Sequence, residues 1–330
     1  MNYLLVGGAG YIGSHVAREL ARAGHHVTIL DDLSKGHREA VGGLELVVGD
    51  LGDITLASRV LEEKSIDCVM HFAAFSLVGE SVEKPLPYYD NNVGKTTRLL
   101  MAMKEKGVTK FVLSSTAAVY GESAKVSIEE TDPLIPTNPY GRTKLMIEQI
   151  LEDAERAYGM KYASLRYFNA AGADEKGDIG EDHDPETHLI PLVIQAALGQ
   201  RKSISIFGTD WGTPDGTCIR DYVHVSDLAQ AHILAAERLA EGRDSMIYNL
   251  GCQTGYSVLE IIQITRQVTG HEIPAVEADR RPGDPERLVA SSARIRSELG
   301  WKPVYEDPER IIRTAWNWHR GHPHGFEKEK

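Results

Sequence analysis

Short apolar runs alternate with amphipathic stretches through the first half of the chain. Residues 2–6 are apolar and run into glycine, which predicts a buried strand. A helical pattern follows over about residues 14–23 and stops at Gly24. Val27–Leu30 predicts a second strand, Leu44–Val48 a third, residues 54–64 a helix and Asp67–Phe72 a fourth strand. A long helix is expected over residues 85–106, entered through Pro85 and Pro87, and then a strand at Lys110–Leu113. The next helix starts at Asn138-Pro139, a good N-cap followed by a good first residue. It carries Ile147, Ile150, Leu151, Ala154 and Tyr158 on one stripe and ends at Gly159. Tyr162–Arg166 predicts a sixth strand. Strands alternating with helices imply an α/β fold with a parallel, doubly wound sheet of Rossmann type. Ligands on such sheets bind beyond the carboxyl ends of the strands.

The texture changes after residue 170. Residues 171–186 are rich in Gly, Asp and Glu and read as a loop. A helix at 189–199, a strand at Ile204–Phe207 and a glycine-rich 208–217 follow. The expected division is a dinucleotide-binding domain over 1–170 and a smaller mixed α/β substrate domain over 171–330. Residues 218–252 are expected to cross back to the first domain, through a helix at 226–240 and a strand at Met246–Leu250 that joins the main sheet.

Composition narrows the class. With 330 residues, 42% hydrophobic and 25% charged, the chain can bury a sizeable core. A net charge of −12 argues against nucleic acid or an anionic membrane as a partner. The sequence shows no basic leader with an apolar stretch and no apolar run long enough for a bilayer. Cys68, Cys218 and Cys252 are odd in number and form no CxxC pair, so neither a disulfide framework nor a zinc site is expected. His319, His322 and His324 read as a solvated tail, and no metal is expected. Together these features predict a cytoplasmic protein.

Two stretches carry candidate chemistry. Gly7-Gly8-Ala9-Gly10-Tyr11-Ile12-Gly13 lies between the first strand and the first helix, the context in which glycines at 7, 10 and 13 cradle a diphosphate on the helix N-terminus. Asp31, 18 residues beyond Gly13 at the end of the second strand and followed by Asp32, stands where an acid receives the adenosine ribose hydroxyls. A carboxylate there repels a 2′-phosphate, so NAD is favoured over NADP. The second stretch is Tyr140-Gly141-Arg142-Thr143-Lys144, which sets a phenol and an ammonium four apart on one helix face. The ammonium favours the phenolate; lowering a phenol from near 10 to about 7 takes roughly 4 kcal/mol.

The glycine turn, Asp31, Ser114-Ser115-Thr116 before Val119-Tyr120-Gly121, Tyr140-x3-Lys144 and Arg281-Pro282-Gly283-Asp284 together resemble the extended short-chain dehydrogenase/reductase family. Gly79-Glu80-Ser81 to Pro85, Tyr88 to Val93, Leu165–Asn169 and Arg220–His224 are similar to its UDP-hexose epimerases, and the resemblance covers essentially the whole chain. It implies bound NAD, UDP-glucose and UDP-galactose as substrates, and a homodimer built from the helices at about 90–106 and 140–158. It implies Tyr140 as general base, Lys144 on the nicotinamide ribose and Thr116 on the sugar 4-hydroxyl. It implies that Gly7, Gly10, Tyr11, Ile12, Gly13, Asp31, Asp32, Asp50, Leu51, Phe72, Ala73, Ala74, Asn91 and Phe168, with Tyr140 and Lys144, line the cofactor. Asn169, His188, Leu189, Arg220, Tyr222, Arg281 and Asp284, with Thr116 and Tyr140, are implied on the nucleotide sugar. Three positions depart from the common pattern: Ser76 in place of a lysine, His188 in place of an asparagine, and Thr116 in place of a serine. Leu288 is implied to border the hexose. Dehydratases resembling this chain carry Thr-Asp-Glu where it has Thr116-Ala117-Ala118, and alanine cannot move a proton. A reductase or decarboxylase acting on a UDP-sugar would share the cofactor turn and the Tyr-x3-Lys pair. A non-catalytic NAD-binding module would need only the turn, so the intact Thr116, Tyr140 and Lys144 disfavour it.

Overall fold

Seven strands form one sheet, and every neighbouring pair runs parallel. The computed structural model describes residues 1–123, 125–281 and 284–326. The strands are β1 (Asn2–Val6), β2 (His26–Asp31), β3 (Glu45–Val48), β4 (Cys68–His71), β5 (Lys110–Thr116) and β6 (Lys161–Tyr167), with Met246–Leu250 as the far edge. Their order is the Met246–Leu250 strand, then β6, β5, β4, β1, β2, β3. The chain thus leaves β1 towards one edge and later returns past it towards the other. The order reverses between β1 and β4, and the crevice at their carboxyl ends is where such sheets take a dinucleotide.

The central strands are near-continuous apolar runs because helices cover both faces. On one face Tyr3, Leu5, Ile29 and Met70 pack with Val16, Leu20, Leu228 and Ala235. On the other, Leu4, Val6, Val69 and Leu113 pack with Leu61, Leu99, Met103, Ile147 and Leu151. The strand Met246–Leu250 and the helix Val225–Ala240 belong to this layered body. A separate cluster gathers Ile190, Val193, Ile204, Ile261, Ile312 and Trp316 from later elements. Small two- and three-stranded sheets lie beside the main one; one pairs Ile219–Arg220 with Tyr256–Ser257 and Arg287–Leu288. No helix among the described residues is long and apolar enough to cross a membrane.

Several expectations need correction. The first helix spans Tyr11–Arg22, so Gly13 lies inside it rather than before it. β5 extends to Thr116, which puts Ser114, Ser115 and Thr116 in the strand. The stretch 85–106 is not one helix: Pro85–Tyr88 passes into a π-helical turn at Tyr89–Lys95 and then into Thr96–Lys106. Tyr158 leaves the buried stripe and is 56% exposed, under the Lys104 ammonium. His319 and His322 are not on a solvated tail. The first lies in the helix Pro308–Gly321, and the second stacks on Trp318 with ring centroids 3.9 Å apart. Residues Pro282 and Gly283 of the Arg281-to-Asp284 motif lie outside the described residues.

Candidate active site

The glycine turn is built by contact. Gly7 holds φ +76°, and a Cβ there would stand 2.4 Å from the Ala73 backbone nitrogen, so the turn after β1 touches the strand end after β4. Phe72 and Ala73 both donate their N–H to the Val6 carbonyl, locking these ends together. Gly10 is different: a Cβ on it would meet only the Gly7 carbonyl, at 3.4 Å. Gly10 is also the N-cap of the first helix and offers no side-chain cap. The first N–H groups of that helix are therefore left for an anionic ligand, and the residues present fit the diphosphate of a dinucleotide.

Asp31 is buried at the end of β2, where its oxygens receive the Ala9 and Leu33 N–H groups, each at 2.9 Å. Burial raises its pKa, and those two bonds oppose the rise. Asp32 is exposed and receives the Ser34 N–H at 2.9 Å. Asp50 pairs with Lys95 at 2.6 Å, and Lys95 and the Gly52 N–H outweigh burial to hold its carboxyl low. Leu51, Asn91 and Phe168 are buried, while Tyr11, Ile12 and Ala74 are partly exposed. Tyr11 donates to the Gly172 carbonyl at 2.6 Å, which ties the turn to the segment after residue 170.

The proton-handling groups come from two adjoining elements. Asn138 caps the helix Pro139–Tyr158 by accepting the Gly141 N–H at 2.9 Å. Tyr140 and Lys144 then face β5. Lys144 is 3% exposed and donates to the Ser114 carbonyl at 2.7 Å. Burial lowers its pKa to about 8, against the pull of Glu148 one turn on. The Tyr140 phenol is also buried. Burial raises its pKa, and the nearby Thr116 hydroxyl opposes the rise. The Lys144 ammonium keeps its charge while it donates to the Ser114 carbonyl, one helical turn from the phenol.

A polar layer that sequence reading did not identify stands behind these groups. Asn92 donates to the Phe75 carbonyl and to the Thr143 hydroxyl, both at 3.0 Å, and accepts the Phe75 N–H at 2.8 Å. The Thr143 hydroxyl bonds the Tyr140 carbonyl at 2.7 Å. The π-helical turn carries Asn92 into this position, as such turns often do at functional sites. One turn beyond Lys144, Glu148 receives Arg166 at 2.6 Å and the Ser115 hydroxyl at 2.6 Å. His232 accepts the Ser114 hydroxyl at 2.9 Å, since its Nδ1–H is held by the Leu228 carbonyl.

The residues expected on the nucleotide sugar gather around the small sheet. Asn169 donates to the Asp221 carbonyl at 2.8 Å, and Tyr222 is buried. Arg220 stands 3.5 Å from Asp284. The Arg281 guanidinium lies 3.8 Å over the Phe207 ring, so Phe207 joins this group although sequence reading left it as a strand residue. Leu288 pairs in register with Arg220 and packs beside Ala117 and Phe168. His188 precedes Leu189 at the start of the helix Leu189–Ala197, but its Nδ1 turns to Glu181 at 2.6 Å and Glu186 at 3.2 Å. Those carboxylates outweigh burial and raise the His188 pKa.

A glycine turn open to a diphosphate, with a Tyr-x3-Lys pair on the helix that faces the end of β5, defines a dinucleotide-dependent enzyme of the short-chain type. Residues 3–251 match the NAD dependent epimerase/dehydratase family, and the chain belongs to it. A UDP-glucose 4-epimerase of Halalkalibacterium halodurans is 54% identical over 329 residues, covering 100% of this chain and 98% of that protein. A crystal structure of a UDP-glucose 4-epimerase superposes with a TM-score of 0.97 at 52% identity, covering 99% of this chain and 100% of that one. The UDP-glucose 4-epimerase of Brucella ovis, solved with NAD, superposes with a TM-score of 0.94 at 47% identity, covering 96% and 97%.

Proposed function

We propose that this chain is a UDP-glucose 4-epimerase, interconverting UDP-galactose and UDP-glucose through a transient 4-keto sugar. One observation carries the reading: a buried tyrosine beside Thr116, with Lys144 one turn behind, at the end of a strand followed by Ala117 and Ala118. Tyr140 takes the proton of the sugar 4-hydroxyl and later returns it to the 4-keto oxygen, once the sugar has turned its other face to the cofactor. Thr116 orients that hydroxyl, since its own side chain can both donate and accept. NAD, when bound, takes up the C4 hydride and gives it back. The Tyr140–Lys144 pair holds the proton where it is needed, and the buried surroundings exclude water from the exchange. The two alanines supply no acid to expel a hydroxyl, which disfavours a dehydratase.

Arg220, Arg281 and Phe207 hold the nucleotide, and the smaller residues near Thr116 leave the hexose free to turn. In this reading the chain divides near residue 170 into cofactor and substrate parts. Three buried, unpaired cysteines suit a reducing, cytoplasmic setting. The test is turnover without added cofactor: purified protein is given UDP-galactose, and the products are identified by chromatography. UDP-glucose must accumulate towards equilibrium. A 4-keto-6-deoxy product, or no product from NAD-loaded protein, ends the proposal.

A further inference from the structure

The segment between Gly172 and the helix Leu189–Ala197 contains a feature the epimerase reading does not use. Glu181, His183, Glu186 and His188 turn one donor atom each towards a common point, all within 4.8 Å of one another. His183 Nδ1 lies 3.1 Å from Glu181 and 3.7 Å from Glu186, and His188 Nδ1 lies 2.6 Å and 3.2 Å from the same carboxylates. We infer that these four residues bind one divalent transition-metal ion of the Zn²⁺ class.

The geometry supports this in three ways. Nitrogen and oxygen ligands at about 2.1 Å from a tetrahedral ion stand about 3.4 Å apart, and one donor atom from each of the four residues already lies within 4.8 Å of the other three. The donor set of two imidazoles and two carboxylates suits Zn²⁺ and its neighbours rather than Mg²⁺ or Ca²⁺, which take oxygen. The carboxylates are also held in place by other groups. Glu186 receives the Thr187 and His188 N–H groups at 2.6 Å and 2.7 Å, and the Glu181 carbonyl is held by the Trp318 indole at 3.1 Å. Such outer contacts fix a metal ligand before the ion arrives.

The ion would act as a staple. The same segment reaches the cofactor side through Lys35 on the Asp184 carbonyl at 2.7 Å, His37 on the Asp182 carbonyl at 3.0 Å, and the His183 ring against Tyr11. All four donors come from the protein, which marks a closed structural site and not a catalytic one. None of them belongs to the proton-transfer group.

The test uses the full-length protein and does not depend on turnover. Protein stripped with a chelator and dialysed against Zn²⁺ should retain about one ion per chain. Co²⁺ in its place should give the intense visible band of a four-coordinate ion. Zn²⁺, but not Mg²⁺, should raise the melting temperature of the stripped protein. His183→Ala and Glu186→Gln should each weaken Zn²⁺ binding at least about 100-fold, with circular dichroism reporting whether the variants fold. Should either variant fail to fold, the Co²⁺ spectrum of the native chain still decides. Stripped native protein that takes up neither ion, or variants that bind as tightly as the native chain, would leave only an ion-paired cluster and overturn the inference.

Discussion

Tyr140 shows what the protein supplies by itself and what it leaves to its ligand. Burial raises the phenol above its usual range, and the Thr116 hydroxyl opposes the rise. Lys144 adds a buried positive charge that burial has already weakened to a pKa of about 8. A second positive charge beside the phenol would complete the acidification, and the oxidised nicotinamide ring carries one. Tyr140→Phe removes the acidic proton and keeps the ring's packing. Turnover should therefore fall about 10²- to 10⁴-fold, while the purified variant still carries NAD by absorbance and fluorescence. Rates near those of the native chain would mean that another group moves the proton. Leu288 sets a different property. It packs against the cluster that holds Ala117 and Phe168, and the family resemblance implies that it borders the hexose. Leu288→Ala should raise kcat/KM for UDP-N-acetylgalactosamine relative to UDP-galactose by about tenfold or more, as expected for a few methylenes of pocket space. An unchanged ratio would remove Leu288 from the sugar pocket.

The helix Pro139–Tyr158 carries its own support. Its cap, its proline and its Tyr-x3-Lys pair are all local in sequence, and each was legible there. The buried pair of Glu148 with Arg166 was not, because it joins this helix to β6 and depends on tertiary packing. Arg166 bonds Glu148 through Nε at 3.1 Å and through the guanidinium end at 2.6 Å, and also reaches the Tyr120 hydroxyl at 2.9 Å. Both residues are almost wholly buried, so losing one leaves the other charged without a partner. Glu148→Gln should cost about 3–5 kcal/mol, read as a lower midpoint in urea. Glu148→Leu combined with Arg166→Met should cost clearly less than that single change; equal losses would mean that packing, not charge, is at stake. The same limit explains the other misses. Asn92 serves the site only because a π-helical turn breaks what read as one continuous helix. His188 read as a sugar contact because its neighbours resemble one, but a carboxylate pair two and seven residues earlier claims its ring. Phe207 gained a role only when Arg281 folded over it. Strands β1, β2 and β4, by contrast, were legible because burial makes each a largely apolar run.

The homodimer that the family resemblance implies would form across faces that the chain leaves uncovered. The helices Thr96–Lys106 and Pro139–Tyr158 cover the same face of the sheet with their inner sides. Their outer sides leave Met101 58% exposed, Met146 40% and Tyr158 56%. A homodimer across these helices, as the family resemblance implies, would bring four helices together and bury these side chains. The chain's net charge of −12 opposes any such association, so apolar contact must drive it. Added salt screens the repulsion without weakening the contact. The dimer should therefore persist or tighten as sodium chloride is raised, when followed by light scattering during size exclusion. Met101→Glu together with Met146→Glu sets a new carboxylate on each helix of the interface. That variant should elute as a monomer that still retains NAD, because neither residue touches the glycine turn or the Tyr140 group. A native chain that is monomeric at every salt concentration would refute the interface, and a dimer that survives both substitutions would move it to another face.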